Sequence, residues 1–170
     1  VPSLGTGTWT IESGPGSATY SPDANSFAAK VTVAAYGTYV FRWTEVNGSC
    51  SNSSTVSVTS LEQPHANGGN GGDECDLNFV LNAVQGTGTG TWSKISGPGN
   101  ATFSPNEHQS NGTVTVSLFG TYDFAWTEVN SLCNSSDIIR VAFHDAPAVN
   151  AGADLLLCKG RSIQLSASGT

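Results

Sequence analysis

Apolar and polar residues alternate with a period of two in short runs along this chain, the pattern of strands with one face in a core. The clearest runs set Tyr39, Phe41 and Trp43 against Val40, Arg42 and Thr44, and Tyr122, Phe124 and Trp126 against Asp123, Ala125 and Thr127. Both predict a strand whose aromatic face points inward. Val31 and Val33 with Val114 and Val116, then Val56 and Val58 with Ile139 and Val141, predict two further pairs of strands. Trp9 and Trp92 lie in Thr-rich strands, and Phe79, Leu81 and Ala83, echoed by Ile163, Leu165 and Ala167, predict another. Between these runs stand Gly14-Pro15-Gly16, Gly97-Pro98-Gly99, Ser21-Pro22, Ser104-Pro105 and Asn47-Gly48-Ser49. This is turn chemistry, with glycine for positive φ and proline for fixed φ.

The predicted elements come twice. GTYVFRWTEVNGSC (37–50) returns as GTYDFAWTEVNSLC (120–133), an offset of 83 (120 − 37), and without gaps residues 5–75 and 88–158 agree at 32 of 71 positions. A period of that length suits a small sandwich with its own core better than a helical or propeller repeat. The expected fold is all-β: tandem immunoglobulin-like Greek-key β-sandwiches, with Trp9, Tyr39, Phe41, Trp43, Trp92, Tyr122, Phe124 and Trp126 in the cores. Val1 aligns with Val84 and Thr170 with Thr87, so the chain reads as an excerpt of a longer array.

Charge narrows the possible partners. A net charge of −7 with six Lys and Arg leaves no basic stripe, so nucleic acid and an anionic membrane surface would be repelled. No run of 18 apolar residues predicts a membrane-spanning helix, and VPSLGTGTW lacks the basic and apolar regions of a signal peptide.

The four cysteines, Cys50, Cys75, Cys133 and Cys158, repeat in register and suggest disulfides in an oxidising, extracellular compartment. Cys50 with Cys75 and Cys133 with Cys158 share a separation of 25; Cys75 with Cys133 is the other arrangement, leaving Cys50 and Cys158 for neighbouring units. Acidic residues at the junctions, Asp73, Glu74, Asp76, Asp145 and Asp154, are candidate calcium ligands, since calcium stiffens hinges between extracellular domains. Glu45 and Glu128 fall on the inward phase at the end of the aromatic strand and read as turn anchors. His65, His108 and His144 do not align by 83, which argues against a repeated metal or catalytic site. No GxSxG elbow occurs and no Ser, His and Asp set recurs, so no catalytic residue and no enzyme is expected. Asn47, Asn52, Asn100, Asn111 and Asn134 begin Asn-x-Ser/Thr sequons and should sit in exposed turns.

PAVNAGADLLLC (147–158), SIQLSASGT (162–170), TWSKISGPGNATFSP (91–105) and VTVSLFGTYDFAWTEVN (114–130) resemble the polycystic-kidney-disease (PKD) and PKD-like immunoglobulin-like repeats of long secreted surface proteins in gliding and biofilm-forming bacteria. The resemblance implies that Asn150-Ala151-Gly152 with Asp154 opens a domain, that Gly97 to Gly99 follows the third strand, and that Gly120 to Phe124 belongs to the last strand but one. Residues 1–63 then form a repeat lacking its first strands, 64–146 a complete repeat, and 147–170 the opening strands of a following one; as permuted units the division is 1–85 and 86–170. At the second opening the chain departs from the pattern and reads PHANGGNGGDEC (64–75).

Repeats of this family act as rigid spacers, stalks or adhesive modules outside the cell, often exported by the type IX route. The implied function is therefore a non-catalytic structural or adhesive repeat. Its expected partners are neighbouring repeats, further copies in a fibre, or surface glycans, with no cofactor other than calcium. The alternative is a carbohydrate-binding accessory module of a secreted enzyme, which needs tryptophans exposed to stack on sugars.

Overall fold

In the computed structural model, which describes residues 5–169, the chain is all-β, with no helix among the described residues. It divides into two compact units. The first runs to Pro64 and takes in Val129–Asn134, and the second runs from His65 to Glu128 and resumes at Ser135.

The second unit carries β6 (Gly72–Glu74), β7 (Asn78–Val80), β8 (Thr89–Ser96), β9 (Ala101–Ser104), β10 (Thr113–Val116) and, apart from their ends within Val129–Asn134, β11 (Gly120–Asn130) and β12 (Cys133–Phe143); β13 (Val149–Asn150) and β14 (Ser168–Gly169) follow. One sheet has the order β7-β10-β9 and the other β6-β12-β11-β8. The short β6 runs parallel to the end of β12, with Gly72, Asp73 and Glu74 opposite Val141, Ala142 and Phe143. Three strands on one sheet and four on the other, in this order, make an immunoglobulin-like Greek-key sandwich.

Alternation decides what fills it. Trp92 of β8, Val114 and Val116 of β10, Tyr122, Phe124 and Trp126 of β11, and Ile139, Val141 and Phe143 of β12 form one core with Leu81 and Ala83. The Trp92 and Trp126 rings meet with centroids 5.3 Å apart, and Tyr122 stacks on Phe124 at 5.9 Å. The Tyr122 hydroxyl is not left bare: it donates to Leu118 O (2.8 Å) and accepts from Gly99 N (2.9 Å), fixing the turn after β8. Gly90 is required by the Trp126 ring, because a Cβ there would lie 1.8 Å from the ring. On the outer face Arg140 forks onto Asp123 (2.8 and 3.1 Å) and Ser96 Oγ donates to the same carboxylate (2.9 Å). The hydrogen bonds from Arg140 and then Ser96 hold the Asp123 carboxyl below its ordinary range. This contribution is present above the ordinary carboxylate pKa and lost as pH falls through the lowered one.

The first unit repeats the frame with fewer strands. β1 (Thr6–Ser13), β4 (Gly37–Asn47) and β5 (Cys50–Ser60) form one sheet in the order β1-β4-β5, and β2 (Ala18–Ser21) with β3 (Lys30–Val33) forms another. Trp9 lies opposite Trp43, Tyr39 opposite Val58 and Phe41 opposite Val56. Gly7 makes room for the Trp43 ring as Gly90 does for Trp126, with a Cβ position 1.9 Å from the ring.

Two expectations differ from the structure. Ile163, Leu165 and Ala167 do not form a strand: residues 151–167 carry no ladder, and Ile163 and Leu165 are exposed. A strand needs an edge to pair with, and the alternation alone cannot supply one. Trp9 and Trp43 were expected in a closed core but are half-buried, whereas Tyr39, Phe41, Trp92, Tyr122, Phe124 and Trp126 are buried. Replacing Trp126 by Ala should cost about 3–5 kcal/mol in urea unfolding. Gly90→Ala should also lower the midpoint, because its methyl meets a ring packed on all sides.

Candidate binding face of the first unit

The repeat allows each side chain of one unit to be compared with its counterpart 83 positions away. Ile139 is 4% exposed and Val141 0%, yet Val56 is 46% and Val58 39% exposed. Val114 and Val116 are buried, but Val31 and Val33 are only partly so. The cause is the segment 65–85, which in the second unit brings Leu81 and Ala83 into the core and packs Ala66, Leu77 and Phe79 against it. Among the described residues of the first unit nothing plays that part. What remains is an apolar cleft of about 140 Å³ lined by Trp9, Tyr20, Ala29, Val31, Phe41, Val56 and Val58. Tyr20 Oη has no hydrogen-bond partner in it, and the burial of the phenol raises its pKa.

The same comparison separates the two glutamates. Glu128 is fully buried, with Oε1 accepting from Trp126 Nε1 (3.0 Å) and from the backbone N–H of Gly86 (2.7 Å), while Oε2 has no partner. The carboxylate thereby ties the end of segment 65–85 to the aromatic strand. Glu45 accepts from Trp43 Nε1 (3.0 Å) in the same way but is only half-buried. Both glutamates thus bind an indole N–H of their own strand.

The cysteines require a correction. Cys50, Cys75, Cys133 and Cys158 are all free thiols, so the expected disulfides are not present. For Cys75 with Cys133 the ladder gives the reason: Glu74 lies opposite Phe143, so Cys75 falls level with His144, eleven residues along β12 from Cys133 (144 − 133). At about 3.3 Å per residue that is roughly 36 Å, against a Cα separation of at most about 7 Å in a disulfide.

The acidic candidates are not drawn into one coordination shell. Asp73 Oδ1 meets His144 Nε2 at 3.1 Å, and Asp76 Oδ1 accepts from Asn78 N (2.6 Å). Glu74 lies on β6, and Asp145 and Asp154 are exposed. Among the described residues no three His, Cys, Asp or Glu side chains are grouped to hold a metal. His108 Nδ1 lies 3.1 Å from Thr91 Oγ1 and 3.2 Å from Gly90 O, and the side chain of His65 is exposed. The histidines occupy separate places. Asn47, Asn52, Asn100, Asn111 and Asn134 are all exposed.

Sequence reasoning named Trp9, Phe41 and Trp43 for this region but not Tyr20, Ala29, Val31, Val56 and Val58 as a surface. The signal was available: Val56 and Val58 align with Ile139 and Val141, which alternate in the same phase.

No family model matches the chain, and no curated protein matches it. Among solved structures, domains 4 and 5 of the S-layer protein SbsC are similar at 11% identity and a TM-score of 0.35, over 81% of this chain and 70% of that one. Domains EC1-2 of human protocadherin-24 are similar at 12% identity and 0.33, over 82% of each chain, and the titin Ig tandem domains A164-A165 at 14% and 0.30, over 85% and 84%. An endo-fucoidan hydrolase of glycoside hydrolase family 107 is similar at 16% identity and 0.32, over 82% of this chain and 24% of that enzyme. At these scores the likenesses add nothing to the strand order described above.

Glu128→Leu should strand two buried donors, Gly86 N–H and Trp126 Nε1–H, at about 1–3 kcal/mol each, whereas Glu45→Leu should cost less than half as much because water reaches the indole. Urea unfolding of the two variants, followed by indole fluorescence, measures the difference; equal losses would contradict the anchoring role of Glu128.

Proposed function

We propose that this chain is a non-catalytic structural or adhesive repeat of a long extracellular surface protein or fibre, serving as a rigid spacer or stalk. The observation that carries this reading is what the two copies share and what they do not. Trp92, Tyr122, Phe124, Trp126, Glu128, Gly90 and the Gly97-Pro98-Gly99 turn all repeat, and all are interior or turn residues. On the opposite phase of the aromatic strand the charged residues are not kept, Val40 becoming Asp123 and Arg42 becoming Ala125, while Thr38, Thr44 and Val46 recur as Thr121, Thr127 and Val129. A duplicated ionic or catalytic site would keep its outward charges; a duplicated spacer needs only its core and its corners.

Exposed sequons and the resemblance to PKD-like repeats support a place outside the cell. The free thiols lend that placement no support. The alternative, a carbohydrate-binding accessory module of a secreted enzyme, needs indole faces open to solvent, and in the complete unit Trp92 and Trp126 are both buried. The observations favour the spacer.

Arrays of one to four complete repeats test it in solution scattering. A spacer whose longest strands have 11 residues should add about 35–40 Å to the maximum dimension with each copy, in a linear series. A dimension that levels off as copies are added would refute the spacer.

A further inference from the structure

Residues 65–85 close the second unit as a lid, with β6 adding to the edge of β12 and β7 to β10. The lid is pinned where it closes on itself: Asn67 bridges Val84, and Val84 N donates to Asn67 O (2.9 Å). The next residue is a buried glycine. A Cβ on Gly68 would press on Ile139 Cγ2 at 3.1 Å, so close packing against β12 sets a residue without a side chain directly after an asparagine.

Three groups of the second unit converge on this Asn-Gly pair. Gly68 N donates to Asp137 Oδ2 of β12 (2.9 Å). Asp137 Oδ1 accepts from Ile138 N (2.9 Å), which fixes the half-buried carboxylate in that orientation. Asn67 Oδ1 accepts from Gly69 N (2.9 Å), an N–H aimed by the positive φ of Gly69, 76°. The Asn67 side chain itself is exposed. These are the parts of an acyl-transfer site: Gly68 N as nucleophile, Asp137 as its base within hydrogen-bond reach, and Gly69 N–H as donor to the oxygen on which charge develops.

Other asparagines lack part of this set. Among the described residues the N–H groups of Gly48, Gly71 and Gly112, which follow Asn47, Asn70 and Asn111, meet no carboxylate; that of Gly112 donates to Gln109 O (3.3 Å). Asn150 makes the same turn, with Oδ1 accepting from Gly152 N (2.8 Å), but Ala151 follows it, and a methyl there hinders attack by its nitrogen.

We propose that Asn67 is a self-modification site, at which the folded chain converts its own asparagine to aspartate and isoaspartate. Gly68 N gives its proton to Asp137 and bonds to Asn67 Cγ. The charge that gathers on Oδ1 is held by Gly69 N–H, and collapse expels the amide nitrogen as ammonia with the proton returned by Asp137. The resulting imide is opened by water at one carbonyl to aspartate or at the other to isoaspartate, so the sum is one water consumed and one ammonia released. Either product adds a negative charge beside Asp137, and isoaspartate adds a backbone methylene where the lid closes on Val84. The reaction needs only the second unit, and its failure would leave the spacer reading untouched.

Peptide mass spectrometry of the full chain, incubated near neutral pH, should show Asn67 converting faster in the folded chain than in the chain held unfolded in urea, and ahead of Asn111. Asp137→Asn keeps an acceptor for Gly68 N–H but supplies no base; it should slow Asn67 by about 100-fold and leave Asn47 and Asn111 unchanged. The opposing outcome is that the hydrogen bond to Asp137 merely locks Gly68 N. Conversion of Asn67 that is slower folded than unfolded, or that is as fast or faster in the Asp137→Asn chain, would overturn the proposal.

Discussion

The structure turns on closing a two-sheet core at its open side. Two sheets facing each other bury the aromatic strand only if a third piece of chain runs from the edge of one to the edge of the other. In the second unit residues 65–85 do this, and Val114, Trp92, Ile139 and Val141 go dark. Where no such piece is paired, the same side chain types stay half in water, and each exposed aliphatic forgoes on the order of 1 kcal/mol of burial. The strands, turns and glycines of the two units are otherwise alike, so the lid is what separates a finished core from an open one.

Polar chemistry fixes the lid as much as packing does. Glu128 holds Gly86 N–H and Trp126 Nε1–H with one oxygen, which joins the exit of the lid to the centre of the aromatic strand. A carboxylate is tolerated at a fully buried position because its two donors have no other acceptor, and removing it would leave them unsatisfied in a dry place. Glu45 shows the same side chain accepting from an indole N–H with access to solvent. The small residues follow from the rings, since Gly7 and Gly90 exist to let an indole lie flat against backbone.

Much of this was written in the sequence. Strands with strict alternation, from Val31 to Val33 and from Tyr39 to Trp43, declared both their existence and their inward face, because a strand half in a core has no other way to be composed. The 83-residue register gave the sandwich its likeness between copies. Other features depend on contacts that alternation does not encode. The strand β6 is Gly72, Asp73 and Glu74, with no apolar face, and only its pairing with Val141 to Phe143 makes it a strand. Ile163 to Ala167 has the right pattern without an edge to join. Trp9 and Trp43 carry core residue types, but burial belongs to their surroundings. The cysteines repeat in register because the whole unit was copied, and copied positions within repeats need not lie near each other.

Amide hydrogen exchange at two counterpart residues tests the requirement for a lid most directly. Val116 N–H, held by Leu77 O, should exchange only through unfolding of its unit, and Val33 N–H, at the edge of β3, should exchange several orders of magnitude faster. Comparable protection at Val33 and Val116 would mean that the first unit is closed without a lid, and the account of its core would be wrong.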